Sequence, residues 1–189
     1  QNNLLQTFIA SLRGLRAEPY LLRNEEETAK QLRSILDSKG CKSPLVAGLP
    51  SAVNAVVETA LEGREYLRAE EFSGPDATSK LASADLGITW IEYGVANQGA
   101  LMEVVYDDAT KLASCLPFHH VAVLSSKRIL ADISRAMPEA GKIISSSTPE
   151  RMPVISFISG PSRTGDIEMK LLYGVHGPNT LTVLLLEWY

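Results

Sequence analysis

Apolar side chains near the start of the chain recur at helical spacing. Leu4, Leu5, Phe8, Ile9, Leu12 and Leu15 fall on one face of a 3.6-residue period. That pattern predicts an amphipathic helix packed on the body of the protein or on another subunit, so a homo-oligomer is one expected arrangement. The next helix is marked at both ends. Asn24 has the form of an N-cap with acidic Glu27 at N3, Ala29, Leu32, Ile35 and Leu36 make the apolar face, and Gly40 supplies the stop. Pro44 then introduces the apolar run Leu45 to Leu49, and Ser51 is placed to cap a helix with Val53, Val56, Val57, Ala60 and Leu61 on one side. The alternation returns at Val121 to Leu124 followed by Ile129, Leu130 and Ile133. It returns again at Val154 to Ile158 followed by Ile167, Leu171 and Leu172, and Leu181 to Leu186 supplies a last strand. Runs that are apolar at successive positions suit strands covered on both faces of a largely parallel sheet. The expected fold class is therefore α/β, an open three-layer α/β/α sandwich with a mostly parallel mixed sheet. A single domain over 1–189 is expected, with a helical segment over about 1–40.

The middle of the chain reads differently. Gly87 to Ile91 and Ala100 to Val105 are strand-like runs flanking Glu92 to Gly99, where two glycines permit a tight turn, so an antiparallel excursion is expected there. Pro138 to Pro153 is rich in Ser, Thr and Pro and reads as a surface loop.

Composition narrows the function classes. Among 189 residues, 45% are hydrophobic and 21% charged, values of a globular domain, and the net charge is -4. Lys and Arg are scattered among acids, with no basic stripe to track phosphates, so no nucleic acid is expected as a partner. Cys41 and Cys115 belong to no Cys-x-x-Cys pair, which fits a reducing compartment and a cytoplasmic location. An iron-sulfur cluster ordinarily needs a full set of Cys thiolates, so none is expected on this chain. Three histidines without ligand spacing make a metal site unexpected. Apolar runs such as Leu181 to Leu186 are far too short to span a bilayer, and the opening residues lack the zones of a secretory signal, although a chain that begins on Gln1 allows for a preceding piece.

Candidate chemistry concentrates late in the chain. Ser159, Gly160, Ser162, Arg163, Thr164 and Asp166 lie between an apolar strand and a helix-like pattern. A strand end followed by a helix start exposes unpaired N–H donors, the hydroxyls extend that donor set, and Arg163 would add a bidentate hold on a carboxylate or phosphate. On the alternative reading, Ser162, Thr164 or Asp166 caps the helix and Arg163 is solvated. His176, within Gly174-Val175-His176-Gly177-Pro178, is either an acid, base or ligand or a structural histidine in a fixed turn. His119 and His120 open a strand with side chains on opposite faces. The chain has no P-loop, no complete Gly-x-Gly-x-x-Gly after the first strand and no Gly-x-Ser-x-Gly elbow.

Three stretches carry a resemblance. They are Ala84-Asp85-Leu86-Gly87-Ile88 through Gly99-Ala100-Leu101, Leu116-Pro117 with His119, and Ile158 through Glu168 with Gly174 to Pro178. Together they resemble the lactate utilization protein C family, built on the LUD domain. The resemblance implies a fold similar to the ribose-5-phosphate isomerase, glucosamine-6-phosphate deaminase and CoA-transferase superfamily. It further implies an accessory subunit in lactate oxidation to pyruvate, with iron-sulfur clusters on partner proteins and a cleft for a small anion or a partner. An independent sugar-phosphate isomerase or CoA-transferase-like enzyme, and a non-catalytic interaction module, are the alternatives. Where the family usually has Ala-Glu-Thr-Gly this chain has Ala96-Asn97-Gln98-Gly99, so the acidic group of that turn is an amide here. Asn97, Gln98 and Gly99 are thus expected as turn contacts without a general base. Lys111 stands where arginine is common, and Gly165 where alanine is.

Overall fold

The computed structural model describes residues 2–72, 77–165, 171–173 and 177–189, with the backbone alone at 2, 77, 163–165 and 171–173. In chain order the elements are α1 (Asn2–Gly14), β1 (Glu18–Leu22), α2 (Glu25–Ser38), β2 (Pro44–Ala47), α3 (Ser51–Leu61), β3 (Leu67–Arg68), α4 (Ala77–Leu81), β4 (Leu86–Trp90), β5 (Tyr93–Val95), β6 (Ala100–Val105), α5 (Asp108–Cys115), β7 (His119–Ser125), β8 (Ile129–Leu130), α6 (Ile133–Ser145), β9 (Val154–Ile158), β10 (Arg163–Gly165), β11 (Leu171–Tyr173) and β12 (Thr180–Leu186).

Six strands form one sheet in the order β1-β12-β7-β4-β2-β3, every pairing parallel. The period-2 geometry of its strands separates two cores. Val121 and Val123 of β7 with Leu184 and Leu186 of β12 face α2 and α3, whose Leu32, Ile35, Leu36, Val53 and Val57 close that side. Ala122 and Leu124 with Val183 and Leu185 face the other way, onto Phe8 and Leu12 of α1. Further along that second face, α5 brings Ala109 and Ala113 onto Leu45 and Ala47 of β2. The expected α/β sandwich is present, with one addition. A second sheet, ordered β8-β5-β6-β9, packs on the α1 side, and α6 covers it with Ala136 and Ala140.

Local chemistry accounts for the helices that the sequence marked. Asn24 accepts from Glu27 N–H at 2.8 Å, while the Glu27 carboxylate takes Arg23 N–H at 2.8 Å. Gly40 then turns the chain with φ 63°. Five sequence expectations are corrected. Ile129 and Leu130, expected with Ile133 on a helix face, form β8 beside β5, and the helix begins only at Ile133. Ser51 does not cap α3: it is the first helical residue, preceded by Pro50, which gives no side-chain cap. The segment expected as a loop from Pro138 is helix through Ser145. Asp132 caps α6, and Pro138 sits in its second turn, where the missing N–H costs a single backbone bond. The antiparallel excursion is a β5–β6 hairpin, while Gly87 to Ile91 contributes β4 to the parallel sheet. Finally, Arg163–Gly165 and Leu171–Tyr173 pair as antiparallel strands where a helix was expected. Three apolar positions at 167, 171 and 172 are too few to separate the two periods, and Thr164 and Tyr173 are good strand formers. Strand β1 carries Pro19 and buries only Leu22, and its pattern announced nothing.

Candidate functional site

The late-chain segments do meet. Ser162 N–H donates to Pro178 O at 2.9 Å, and a Cβ on Gly177 would lie 3.3 Å from that of Ser162. Ser159 Oγ donates to Gln98 O at 3.4 Å, so the loop also reaches the turn of Asn97, Gln98 and Gly99. Both amide side chains of that turn are exposed. Gly99 has φ 56°, and a Cβ there would press on Ser11 and Leu15, which explains why glycine closes the turn against α1. Gly160 likewise has φ 78°. The backbone of Arg163 and Thr164 lies in β10, their side chains outside the described residues; Asp166 and His176 fall outside them altogether. Ser162 leads into β10, and among the described residues no helix N-terminus follows it, so that part of the anion argument loses its donors.

The register places this cluster at the amino ends of the parallel strands. Thr180, His119 and Leu86 begin β12, β7 and β4 side by side, and Asn179 N–H donates to Phe118 O at 2.8 Å just before them. The two histidines part as expected. His119 Nδ1 lies 2.7 Å from Thr180 Oγ1. His120 turns inward, its Nε2 2.9 Å from Thr89 Oγ1 in a fully buried pair. Desolvation, with the charge of Lys111 adding to it, pushes the His120 pKa from an ordinary 6.5 down to about 3. His120 is therefore neutral when folded and basic when unfolded, so its contribution is complete above pH 6.5 and is lost as pH falls from 6.5 towards 3. About 1.4 kcal/mol should disappear by pH 5.5. Urea titrations of the native chain and His120→Gln at pH 7.5 and 5.5 check this: the gap between the two proteins narrows by that amount, and an unchanged gap would acquit His120.

The thiols sit apart in bonded environments. Cys41 Sγ is 2.8 Å from Asp85 Oδ1, and burial followed by that carboxylate pushes its pKa up to about 12. Burial also raises Cys115. Burial pushes Asp85 upward too, but hydrogen bonds from Cys41 and from Lys42 and Ser43 N–H outweigh it and hold the carboxyl below its ordinary range. Among the described residues no group of three or more His, Cys, Asp or Glu is placed to hold a metal ion, and no helix is long and apolar enough to cross a membrane.

At the opposite, carboxyl ends of β2 and β4 a cavity of about 420 Å³ opens between the main sheet, the end of β6 and α6. Gly48, Trp90, Tyr106 and Arg151 are among its walls. A larger groove of about 900 Å³ lies along α2 and α3. It is on the outer helical layer with no strand end opening onto it, so the smaller cavity has the better position for ligand chemistry.

The profile of the LUD domain family matches residues 5–186. The chain belongs to the LUD domain family. Relatives include Lactate utilization protein C of Halalkalibacterium halodurans, 32% identical over 60% of this chain and 49% of that protein. Lactate utilization protein C 1 of Bacillus mycoides is 33% identical over 67% of this chain and 54% of that protein. This LUD domain thus spans about half the length of these curated relatives. Its fold is shared with a DUF162 family protein from Deinococcus radiodurans, whose crystal structure covers 98% of this chain and 97% of its own at 16% identity and a TM-score of 0.65.

Two features of this LUD domain were missed in the sequence, one without any local signal and one with a faint one. The walls of the carboxyl-end cavity come from separate elements and share no motif. Glu103, inside a strand that otherwise reads as apolar, is wholly buried against Lys111 and Ser114. Its charge in the run Ala100 to Val105 was the one clue.

Proposed function

We propose that this LUD domain serves lactate utilization as an accessory subunit of an iron-sulfur lactate-oxidising system, working in the cytoplasm on the conversion of lactate to pyruvate. The observation that carries this reading is family membership together with relatives that bear the name Lactate utilization protein C. The iron-sulfur clusters belong to partner proteins, since Cys41 and Cys115 are the only thiols here and each is engaged at a separate place. The contact surface is the amino-end cluster, in which Ser159, Gly160 and Ser162 adjoin Gly177, Pro178 and the turn at Asn97. Arg163, Thr164, Asp166 and His176 belong to the same stretch and complete the proposed anion- or partner-binding set. Asn97 favours a binding role over turnover, because an amide cannot act as the general base that a glutamate would supply.

The test is reconstitution. Extract of the source cells lacking this chain should lose lactate-dependent dye reduction and regain it when the purified chain is added. The chain alone should turn over neither lactate nor sugar phosphates. Arg163→Ala should weaken association with the complex by about 1.5 to 3 kcal/mol if its hydrogen bond is charge-assisted. Lactate oxidation that proceeds undiminished without the chain would overturn the reading.

A further inference from the structure

The carboxyl-end cavity shares no residue with the amino-end cluster, and its chemistry is specific enough to name a ligand class. We propose that it is a second binding site, for a small carboxylic acid that carries a hydrogen-bond donor on an apolar body, as a hydroxy acid or amino acid does. At about 420 Å³ it falls within the range of small-molecule pockets, and it lies where open α/β sheets bind ligands, beyond the carboxyl ends of neighbouring strands.

Its apolar wall is held in place before any ligand arrives. The Trp90 indole N–H donates to Glu92 at 3.3 Å, Glu92 is also clamped by Arg128, and the Tyr189 ring meets the indole edge-on at 5.3 Å. Its cation is Arg151, whose guanidinium lies 4.7 Å from the centre of the Tyr106 ring. Among the described residues no carboxylate pairs with Arg151, so its planar fork is open to a ligand carboxylate.

The acids of the site set the rest of the specificity. Asp107 is fully used, accepting from Thr110 N–H at 2.7 Å and Thr110 Oγ1 at 2.8 Å. Glu92 is used on both oxygens. Glu70 gives one oxygen to Gly48 N–H at 3.0 Å and, among the described residues, keeps the other for a donor from the ligand. With Glu92 offset by Arg128, the two carboxylates Glu70 and Asp107 beside one unpaired guanidinium repel a phosphate dianion. They accept one negative charge on Arg151 and a hydroxyl or ammonium facing Glu70.

The cavity supplies its own reporter, because Trp90 is one of only two tryptophans. The Trp188→Phe chain should show saturable Trp90 emission changes with L-phenyllactate or L-phenylalanine, and calorimetry on the unaltered chain should give the same Kd, well below about 10 mM. Arg151→Ala should weaken binding at least about tenfold, as loss of a charge-assisted hydrogen bond requires. Ile143→Trp, which fills the cavity, should abolish binding, and both variants should melt with the parent. No saturable binding of either probe, tighter binding of inorganic phosphate, or binding indifferent to both Arg151→Ala and Ile143→Trp would each overturn the proposal.

Discussion

Gly87→Ala is expected to unfold this protein or to cost it about 4 kcal/mol or more, beyond the usual range for an added methyl in a core. A Cβ at Gly87 would overlap the carbonyl oxygen of Ala113 and lie 3.0 Å from its carbonyl carbon and 3.3 Å from Pro117 Cγ. The obstacle is backbone on both sides. Gly87 sits inside β4, pinned in register to Leu45 of β2 and His120 of β7, and Ala113 lies in the helix that covers it. Relief therefore requires α5 to lift from the sheet and surrender the burial of Ala109 and Ala113. Gly94→Ala provides the comparison, since its Cβ would come 2.7 Å from Phe8 ring atoms, a side chain able to shift. That variant should lose about 1 to 3 kcal/mol. Gly141→Ala meets nothing within 4 Å inside α6 and should be neutral or stabilising by up to about 1 kcal/mol. Thermal melts should rank them in that order, with Gly87→Ala lowered by on the order of 10 °C or more. A Gly87→Ala protein melting at or above Gly94→Ala would show that α5 is not seated as described.

The same contrast between local and distant determinants explains what the sequence disclosed. Strands buried on both faces, such as Val121 to Leu124 and Leu181 to Leu186, declare themselves through unbroken apolar runs, and the Asn24 cap is complete within a few residues. Strand β1 is half-buried, contains Pro19, and becomes a strand through pairing with β12 at the far end of the chain. Val154 to Ile158 reads correctly as a strand, but its alternation cannot say that it joins β6 in the second sheet. The segment Ser159 to Asp166 stands out because it is contiguous, and the adjacency of Ser162 to Gly177 and Pro178 followed. Its expected helix did not, because the apolar spacing after it served either period. Trp90, Tyr106 and Arg151 meet through topology alone, so no window along the chain contains their cavity.

Lys111→Met should destabilise the fold by about 3 kcal/mol, more than the double change Glu103→Leu with Lys111→Met. The side chain of Glu103 has no exposed surface. Its Oε2 accepts from Lys111 Nζ at 2.7 Å and from Ser114 Oγ at 3.0 Å, while Oε1 has no partner among the described residues. Removing Lys111 strands a buried carboxylate with one hydroxyl, which costs more than the pair ever contributed; removing both charges leaves an apolar contact between β6 and α5. The Lys111 side chain is 30% exposed, which places the single loss at the lower end for a buried pair. Lys111→Arg should act in the opposite direction. A guanidinium fork can reach both carboxylate oxygens, so the orphan Oε1 gains a donor and stability should rise by about 1 kcal/mol. Urea midpoints for the four proteins should therefore run from Lys111→Arg, through the parent and the double variant, down to Lys111→Met. With Glu103→Leu measured alone as a fifth protein, a double variant as unstable as the sum of Lys111→Met and Glu103→Leu would mean that Glu103 and Lys111 are not energetically coupled.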